Sequence, residues 1–300
     1  MNPTITQLIS AGPIVADGAW GTQLQERGLP VGDCPDAWNL THPEQVEDVA
    51  RAYVEAGSQV ILTNTFGANR FILARQGLAD RVAEINRAGV ELSLRAAKRH
   101  ADGKAKVFAS MGPSGVMLMM GQVPEAELKE AFALQARAMA DAGAQGIVIE
   151  TMSDPAEAAL AAAAAHETGL PVVACMTFDS GVNKDRTMMG TTPEQAAETL
   201  LAAGADLVGS NCGRGIVGMV EVCRRLRTAG GRPVWIKANA GLPEMVDGRV
   251  VYRQTPDEFA AFVPQLVEAG AAFIGGCCGT TPAFIRAAAA RVCPGAGTSP

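Results

Sequence analysis

Eight times along this chain a short apolar run gives way, through a polar or glycine-rich turn, to a segment with apolar residues at helical spacing. The runs begin at Pro13, Gln59, Lys106, Gly146, Pro171, Asp206, Pro233 and Ala271, and helical patterns cover 43–56, 78–99, 124–142, 155–168, 193–203, 216–228 and 256–269. The joints repeat as Glu55-Ala-Gly-Ser, Asp141-Ala-Gly-Ala, Ala203-Gly-Ala and Glu268-Ala-Gly-Ala, each with glycine where a helix stops just before a strand. Strands that are apolar without alternation are buried on both faces, as in a parallel sheet, and eight strand–helix units favour a closed ring over an open sheet. The expectation is an α/β chain folded as a single (β/α)8 TIM barrel over residues 1–292. Its active site is expected at the C-terminal ends of the strands, and a frayed Gly/Pro/Ser-like tail over 293–300.

The partner is narrowed by charge and hydropathy. With 48% hydrophobic and 19% charged residues, the chain suits a soluble protein with a large core. A net charge of -6 without basic runs argues against nucleic acid or an anionic membrane and leaves a small molecule. No stretch approaches the roughly 18 uninterrupted apolar residues of a membrane span. Met1 to Ser10 lacks the basic start and apolar run of a secretory signal, so a cytoplasmic location is expected. The seven cysteines, an odd number in a long chain, read as reduced thiols rather than a disulfide framework.

In such a barrel the chemistry collects where strands end. Asp17, Asn64, Glu150, Asn211 with Cys212, Asn239, and Cys277 with Cys278 all stand at such ends. The three thiols lack the spacing of a zinc finger, but ring closure brings strands six and eight together. Gly275, Gly276 and Gly279 allow the backbone to leave strand geometry so that adjacent cysteines face one centre. Three thiolates with a fourth position open describe a catalytic metal site, since structural sites are closed by four protein ligands. A soft centre of this kind binds a further thiol, so the reaction class is transfer of an electrophilic group to sulfur. Cys34, Cys175, Cys223 and Cys293 read as packing or surface residues, and Met117, Met119 and Met120 as a soft apolar segment, either a lid or core filling. Asp17 before its glycine turn fits a site residue and a helix cap equally.

Six motifs, Asp17-Gly-Ala-Trp-Gly-Thr22, Asn64-Thr-Phe-Gly67, Glu150-Thr151, Asn211-Cys212, Asn239-Ala-Gly-Leu-Pro243 and Gly275-Gly-Cys-Cys-Gly-Thr-Thr-Pro282, span nearly the whole chain. Together they resemble the homocysteine S-methyltransferase family, most nearly the homocysteine-binding barrel of cobalamin-dependent methionine synthases. The resemblance implies Zn2+ on Cys212, Cys277 and Cys278. It implies homocysteine held by Asp17, the turn amides of Gly18 and Ala19, and Glu150, with Asn239 near the metal and Asn64 and Asn211 in the site wall. The implied product is methionine. The methyl donor is S-methylmethionine, a betaine-like compound, or a methyl-corrinoid or methylfolate on another protein, because the barrel leaves no room for folate and corrinoid domains of its own. Thr151 departs from the tyrosine of the betaine-using branch. Rival readings are a methyltransferase for another thiol acceptor, a non-catalytic zinc- or thiol-binding barrel, and a metal-free lyase with redox-active cysteines.

Overall fold

The computed structural model describes residues 1–100, 103–246 and 249–292. The expected tail and Cys293 lie outside the described residues. The strands are β1 (Ile14–Val15), β2 (Val60–Ile61), β3 (Lys106–Val107), β4 (Ala109–Met111), β5 (Ile147–Met152), β6 (Val172–Met176), β7 (Leu207–Cys212), β8 (Val234–Ala238), β9 (Pro243–Val246), β10 (Arg249–Tyr252) and β11 (Ala271–Gly276). Seven of them form one sheet in the order β1-β11-β8-β7-β6-β5-β4, every pairing parallel. β2 pairs in parallel with β3, Ala16 bridges Val60, and the Phe108 amide donates to Ile61 O at 2.9 Å. The architecture is α/β with a half-barrel of seven parallel strands, and the strand expected over 106–110 is interrupted at Phe108.

Helices cover the outer face because their apolar residues recur at helical spacing. Pro43–Glu55 buries Val46, Val49, Ala50, Tyr53 and Val54, and Glu125–Asp141 buries Leu128, Phe132, Ala136 and Met139 on the same principle. The helix expected over 256–269 is two, Pro256–Ala260 and Val263–Glu268, because Pro264 carries no backbone N–H to continue the first and sits instead in the opening turn of the second. The antiparallel pair β9–β10 was not expected from the sequence. Met117, Met119 and Met120 do not fill the core: they are 56%, 70% and 60% exposed around a short turn of helix, Leu118–Met120. Among the described residues no helix is long and apolar enough to cross a membrane.

The interior of the sheet is layered, since alternate residues of a strand share a face. Val148, Val173, Leu207, Phe108, Trp235 and Phe273 belong to one buried cluster. Trp235 is its centre, stacked on Phe273 with ring centroids 4.9 Å apart and on Phe108 at 6.2 Å. That apolar layer is the floor on which the site is built.

Candidate active site

Two residues further along the chain the interior turns polar: Phe108 is followed by Ser110, Val148 by Glu150 and Trp235 by Lys237, while Phe273 is followed by the small Gly275. Lys237 Nζ donates to Asp17 Oδ1 at 2.5 Å, and the two side chains are 2% and 0% exposed. Asp17 Oδ2 accepts from Trp20 Nε1 and from the Leu62 amide, both at 2.7 Å. Asp17 therefore does not cap the following helix, whose N-cap is Ala19. Burial pulls the Lys237 ammonium down, but the Asp17 and Glu150 carboxylates outweigh it and hold its pKa above the usual lysine range. Glu150 accepts from Ser110 Oγ at 2.5 Å. Burial pushes its carboxyl up to about 7, with Lys237 opposing the shift and Cys277 adding to it.

Above this layer stand the thiols. Cys212 Sγ lies 3.4 Å from Cys277 Sγ and 3.7 Å from Cys278 Sγ. All three are free thiols, and their sulfurs lie within 4.8 Å of one another. Cys212 closes β7 with a left-handed backbone, φ 62°, which lets its side chain and that of Asn211 serve the same mouth although neighbours on a regular strand diverge. The glycines before Cys277 act differently from expectation. Gly275 and Gly276 remain in β11 without positive φ, and they are small because a Cβ on Gly275 would stand 2.6 Å from Asp17 O and one on Gly276 2.2 Å from Thr280 Oγ1. Strand geometry ends at Gly276, and the turn falls on Cys278 and Gly279. Gly279 turns at φ 79° against the Tyr252 ring, and Thr280 N donates to Cys277 O at 3.0 Å.

The donor set fits a zinc ion. Metal–sulfur bonds of about 2.3 Å in a tetrahedron require sulfurs about 3.8 Å apart, close to the separations from Cys212. The cluster also cannot carry three negative charges unaided. Hydrogen bonds from Cys212 and Cys277 hold the Cys278 thiol far below the usual range, and the reciprocal bonds, to Cys277 first, push Cys212 far above it. A divalent cation would let all three ionise together. Asn239 adds a second sign: Nδ2 donates to Gly213 O at 3.0 Å, while Oδ1 is buried without a hydrogen-bond partner among the described residues.

The other expected residues divide. Asn211 belongs to the centre: Oδ1 accepts from the Thr151 amide at 2.7 Å, and Nδ2 donates to Thr151 Oγ1 at 2.7 Å and approaches Cys277 Sγ at 3.8 Å. Asn64 is turned to the loop before it, donating to Pro35 O at 2.7 Å and Asn39 Oδ1 at 2.9 Å. The Ala19 amide already donates to Thr280 Oγ1 at 3.2 Å, and Gly18 is covered by the Tyr53 ring, 2.6 Å from where a Cβ would lie. Sequence reasoning missed Lys237, Ser110 and Tyr252. The lysine was findable, as the lone charge inside the apolar run Pro233-Val-Trp-Ile-Lys-Ala-Asn239, two residues from Trp235. Tyr252 arrives on the unexpected β10 beside Cys278, and its side chain helps to hold that thiol below its usual range. A cavity of about 230 Å3 opens beside Thr151, walled by Met117, Met119, Met188 and Met189, with Asp154 and Glu157 in its lining.

Fold and site together define a class: an α/β protein with a parallel sheet whose strand ends gather three thiols and a buried charged layer. The homocysteine S-methyltransferase family profile matches residues 14–292, and the chain belongs to that family. It is 33% identical over 306 residues to the methionine synthase of Mycobacterium tuberculosis (strain ATCC 25618 / H37Rv), covering 96% of this chain and 25% of that protein. The corresponding figures for the methionine synthase of Mycobacterium leprae (strain TN) are 32% over 297 residues, 93% and 24%. The chain thus spans about a quarter of the length of these curated relatives. Its fold is that of the homocysteine methyltransferase MmuM from Escherichia coli in the metallated form, at a TM-score of 0.81, 24% identity, and coverage of 97% of this chain and 100% of that one. The apo form of MmuM gives a TM-score of 0.74 at 22% identity, with the same coverage.

Proposed function

We propose that residues 1–292 form a closed (β/α)8 barrel that methylates the thiol of homocysteine to give methionine, with zinc held by Cys212, Cys277 and Cys278. The observation that carries this reading is the trio of free thiols, 3.4 Å and 3.7 Å from Cys212, at the ends of β7 and β11. Family membership supports the acceptor and the product. The hydrogen bond from the Phe108 amide to Ile61 and the Ala16–Val60 bridge support closure of the ring. When bound, zinc supplies Lewis-acid stabilisation of a substrate thiolate at neutral pH.

The chain's own groups do the rest. Glu150, at the edge of the charged layer, receives the substrate ammonium. Asn211 ties the Thr151 turn to Cys277 and keeps the two strand ends in register. The buried Oδ1 of Asn239, without a hydrogen-bond partner among the described residues, is an acceptor left for a metal or substrate group. In the transfer the thiol has lost its proton. A sulfur lone pair forms the new S–CH3 bond as the bond from methyl to its carrier breaks, and the carrier keeps that electron pair. The 230 Å3 cavity beside Thr151 has room for a small onium donor such as S-methylmethionine, whereas a corrinoid or folate would be presented from outside by a partner protein.

The test is methionine formation from homocysteine with a panel of donors: S-methylmethionine, betaine, methyltetrahydrofolate and free methylcobalamin, alongside zinc content after dialysis. Zinc retained at about one per chain, with turnover on an onium donor, is the expected result. Zinc without methionine from any donor would leave a zinc- or thiol-binding barrel, and neither zinc nor methionine would point to the metal-free redox reading.

A further inference from the structure

The cavity beside Thr151 combines soft and acidic walls. Four methionines, Met117, Met119, Met188 and Met189, stand in its lining with two carboxylates, Asp154 and Glu157, and no lysine, arginine, histidine or aromatic ring joins them. Asp154 is committed, since Oδ1 accepts from the Ala156 amide at 2.8 Å as the cap of the helix Pro155–His166. Glu157 is not. The Ser114 amide at 2.7 Å and the Ser114 hydroxyl at 2.5 Å both fall on Oε1, which leaves Oε2 for the cavity. The residue is 4% exposed, and burial pushes its carboxyl up against the two Ser114 bonds, with Asp154 adding to the rise and no cation opposing it. The start of the helix supplies only a partial positive charge. A buried carboxylate without a counter-charge gains from an incoming cation.

The methionines narrow the cation. A primary ammonium brings three N–H donors that thioethers satisfy poorly, whereas a sulfonium or quaternary ammonium brings none. Its alkyl groups suit unbranched, polarizable side chains, and here these stand where an aromatic cage is the usual solution. Met117, Met119 and Met188 are largely exposed, so the wall can adjust around a guest. The cavity also reaches the thiols. Thr151 lines it with a left-handed backbone, φ 63°, and its amide and hydroxyl are both tied to Asn211, whose Nδ2 approaches Cys277 Sγ at 3.8 Å.

We infer that this cavity is the subsite of a methyl donor with a permanent positive charge, in which Glu157 reads the charge and the four methionines take the alkyl groups. This deepens the methyltransferase reading and rests on it. The charge makes the site directional. As the acceptor thiolate forms its new S–CH3 bond, the S–CH3 bond of a sulfonium donor breaks, and the donor sulfur keeps the electron pair and leaves as a neutral thioether. Glu157 then has no cation to hold, and the spent donor binds more weakly than the fresh one.

The test compares dimethylsulfoniopropionate with 4-methylpentanoate, which has the same shape and carboxylate but carbon in place of the charged sulfur. Both are titrated calorimetrically into the zinc-loaded full chain without homocysteine, and the readout is the ratio of their dissociation constants. The wild type should prefer the sulfonium about tenfold or more, the scale of a charge pair near a protein surface. Glu157→Gln should bring the ratio to within about twofold of one. Ser114→Ala removes the hydroxyl bond but leaves the charge, and should keep the wild-type ratio within about twofold. Met188→Lys, at an exposed position, sets a cation in the wall and should lower the ratio several-fold. Where Glu157→Gln does not fold, Met188→Lys decides. The inference is overturned if the wild type binds both probes alike, if Glu157→Gln keeps the preference, or if it weakens both probes equally, as a carboxylate that only ties the Ser114 loop would. Failure of the methyltransferase reading shows separately, as no methionine from homocysteine with any donor, and the donor role then falls whatever the ratio. A wrong ratio with methionine still formed overturns the inference alone.

Discussion

Two layers of the same interior, two residues apart along the chain, follow opposite rules. The layer of Phe108, Trp235 and Phe273 is held by area and shape: rings stack at 4.9 Å and 6.2 Å, and any chain that fills the volume would serve. The layer of Ser110, Glu150, Lys237 and Asp17 is held by pairing, and each member depends on the identity of its neighbour. The difference teaches where function resides. The apolar floor can be repacked at a cost in stability alone, whereas in the charged layer the loss of one partner leaves the other buried and unmatched.

The largest expected effect lies above both layers. Cys277→Ala or Cys278→Ala should abolish zinc retention after dialysis and reduce methyl transfer by more than the ~100-fold that outer-shell changes at metal sites produce, read by metal analysis and methionine assay. Trp235→Ala should cost about 3–5 kcal/mol in urea unfolding, through the cavity left between Phe108 and Phe273, while leaving zinc retention after dialysis intact. Were zinc lost as well, the floor and the site above it would not be separable.

Lys237→Met should destabilise by a comparable ~3–5 kcal/mol, because it strands a buried carboxylate, and Asp17→Asn added to it should recover most of the loss. No such rescue exists for a cavity, which is the contrast the pair of experiments measures. Glu150 supplies a pH signature. Its carboxyl stands at about 7 in the fold against 4.5 ordinarily, so the folded state binds the proton more tightly. Its contribution to stability is full below about pH 4.5 and is lost as pH rises through about 7, roughly 3 kcal/mol in all. Urea midpoints of the metal-free chain at about pH 5 and about pH 8 should converge in Glu150→Gln relative to wild type. The smallest effect belongs to Trp235→Phe. The indole Nε1 is buried without a partner among the described residues, so losing it offsets part of the lost volume and the net change should fall well below that of Trp235→Ala.

The α/β order and the parallel strands were legible because burial on both faces writes each strand as an apolar run, and because glycine marks the joints between helix and strand. Pro43–Glu55 and Glu125–Asp141 fall within a residue of the expected spans, since their caps and apolar spacing are local signals. The hairpin β9–β10 was not legible: its outer residues Met245 and Val250 are exposed, so no burial pattern marks it. The thiol trio was readable because cysteine at a strand end has few other purposes. Lys237 was overlooked because an apolar run draws attention to its apolar members, and a buried lysine is explained only by its partner, 220 residues earlier in the chain. The glycines before Cys277 were seen, but their reason was not: what excludes a Cβ there is the Asp17 carbonyl and Thr280, distant or later in sequence.

The pairing of β11 between β1 and β8 also dictates a timetable. Asp17 leaves the ribosome early and Cys277 late, and the Ala19 amide meets its acceptor on Thr280 only across 261 residues. On a nascent chain Cys212 stands alone for about 65 residues of synthesis. The trio of thiols is not complete until β11 docks, so any ion it takes up would report completion of folding rather than seed it, and a stalled chain would display lone thiols open to oxidation.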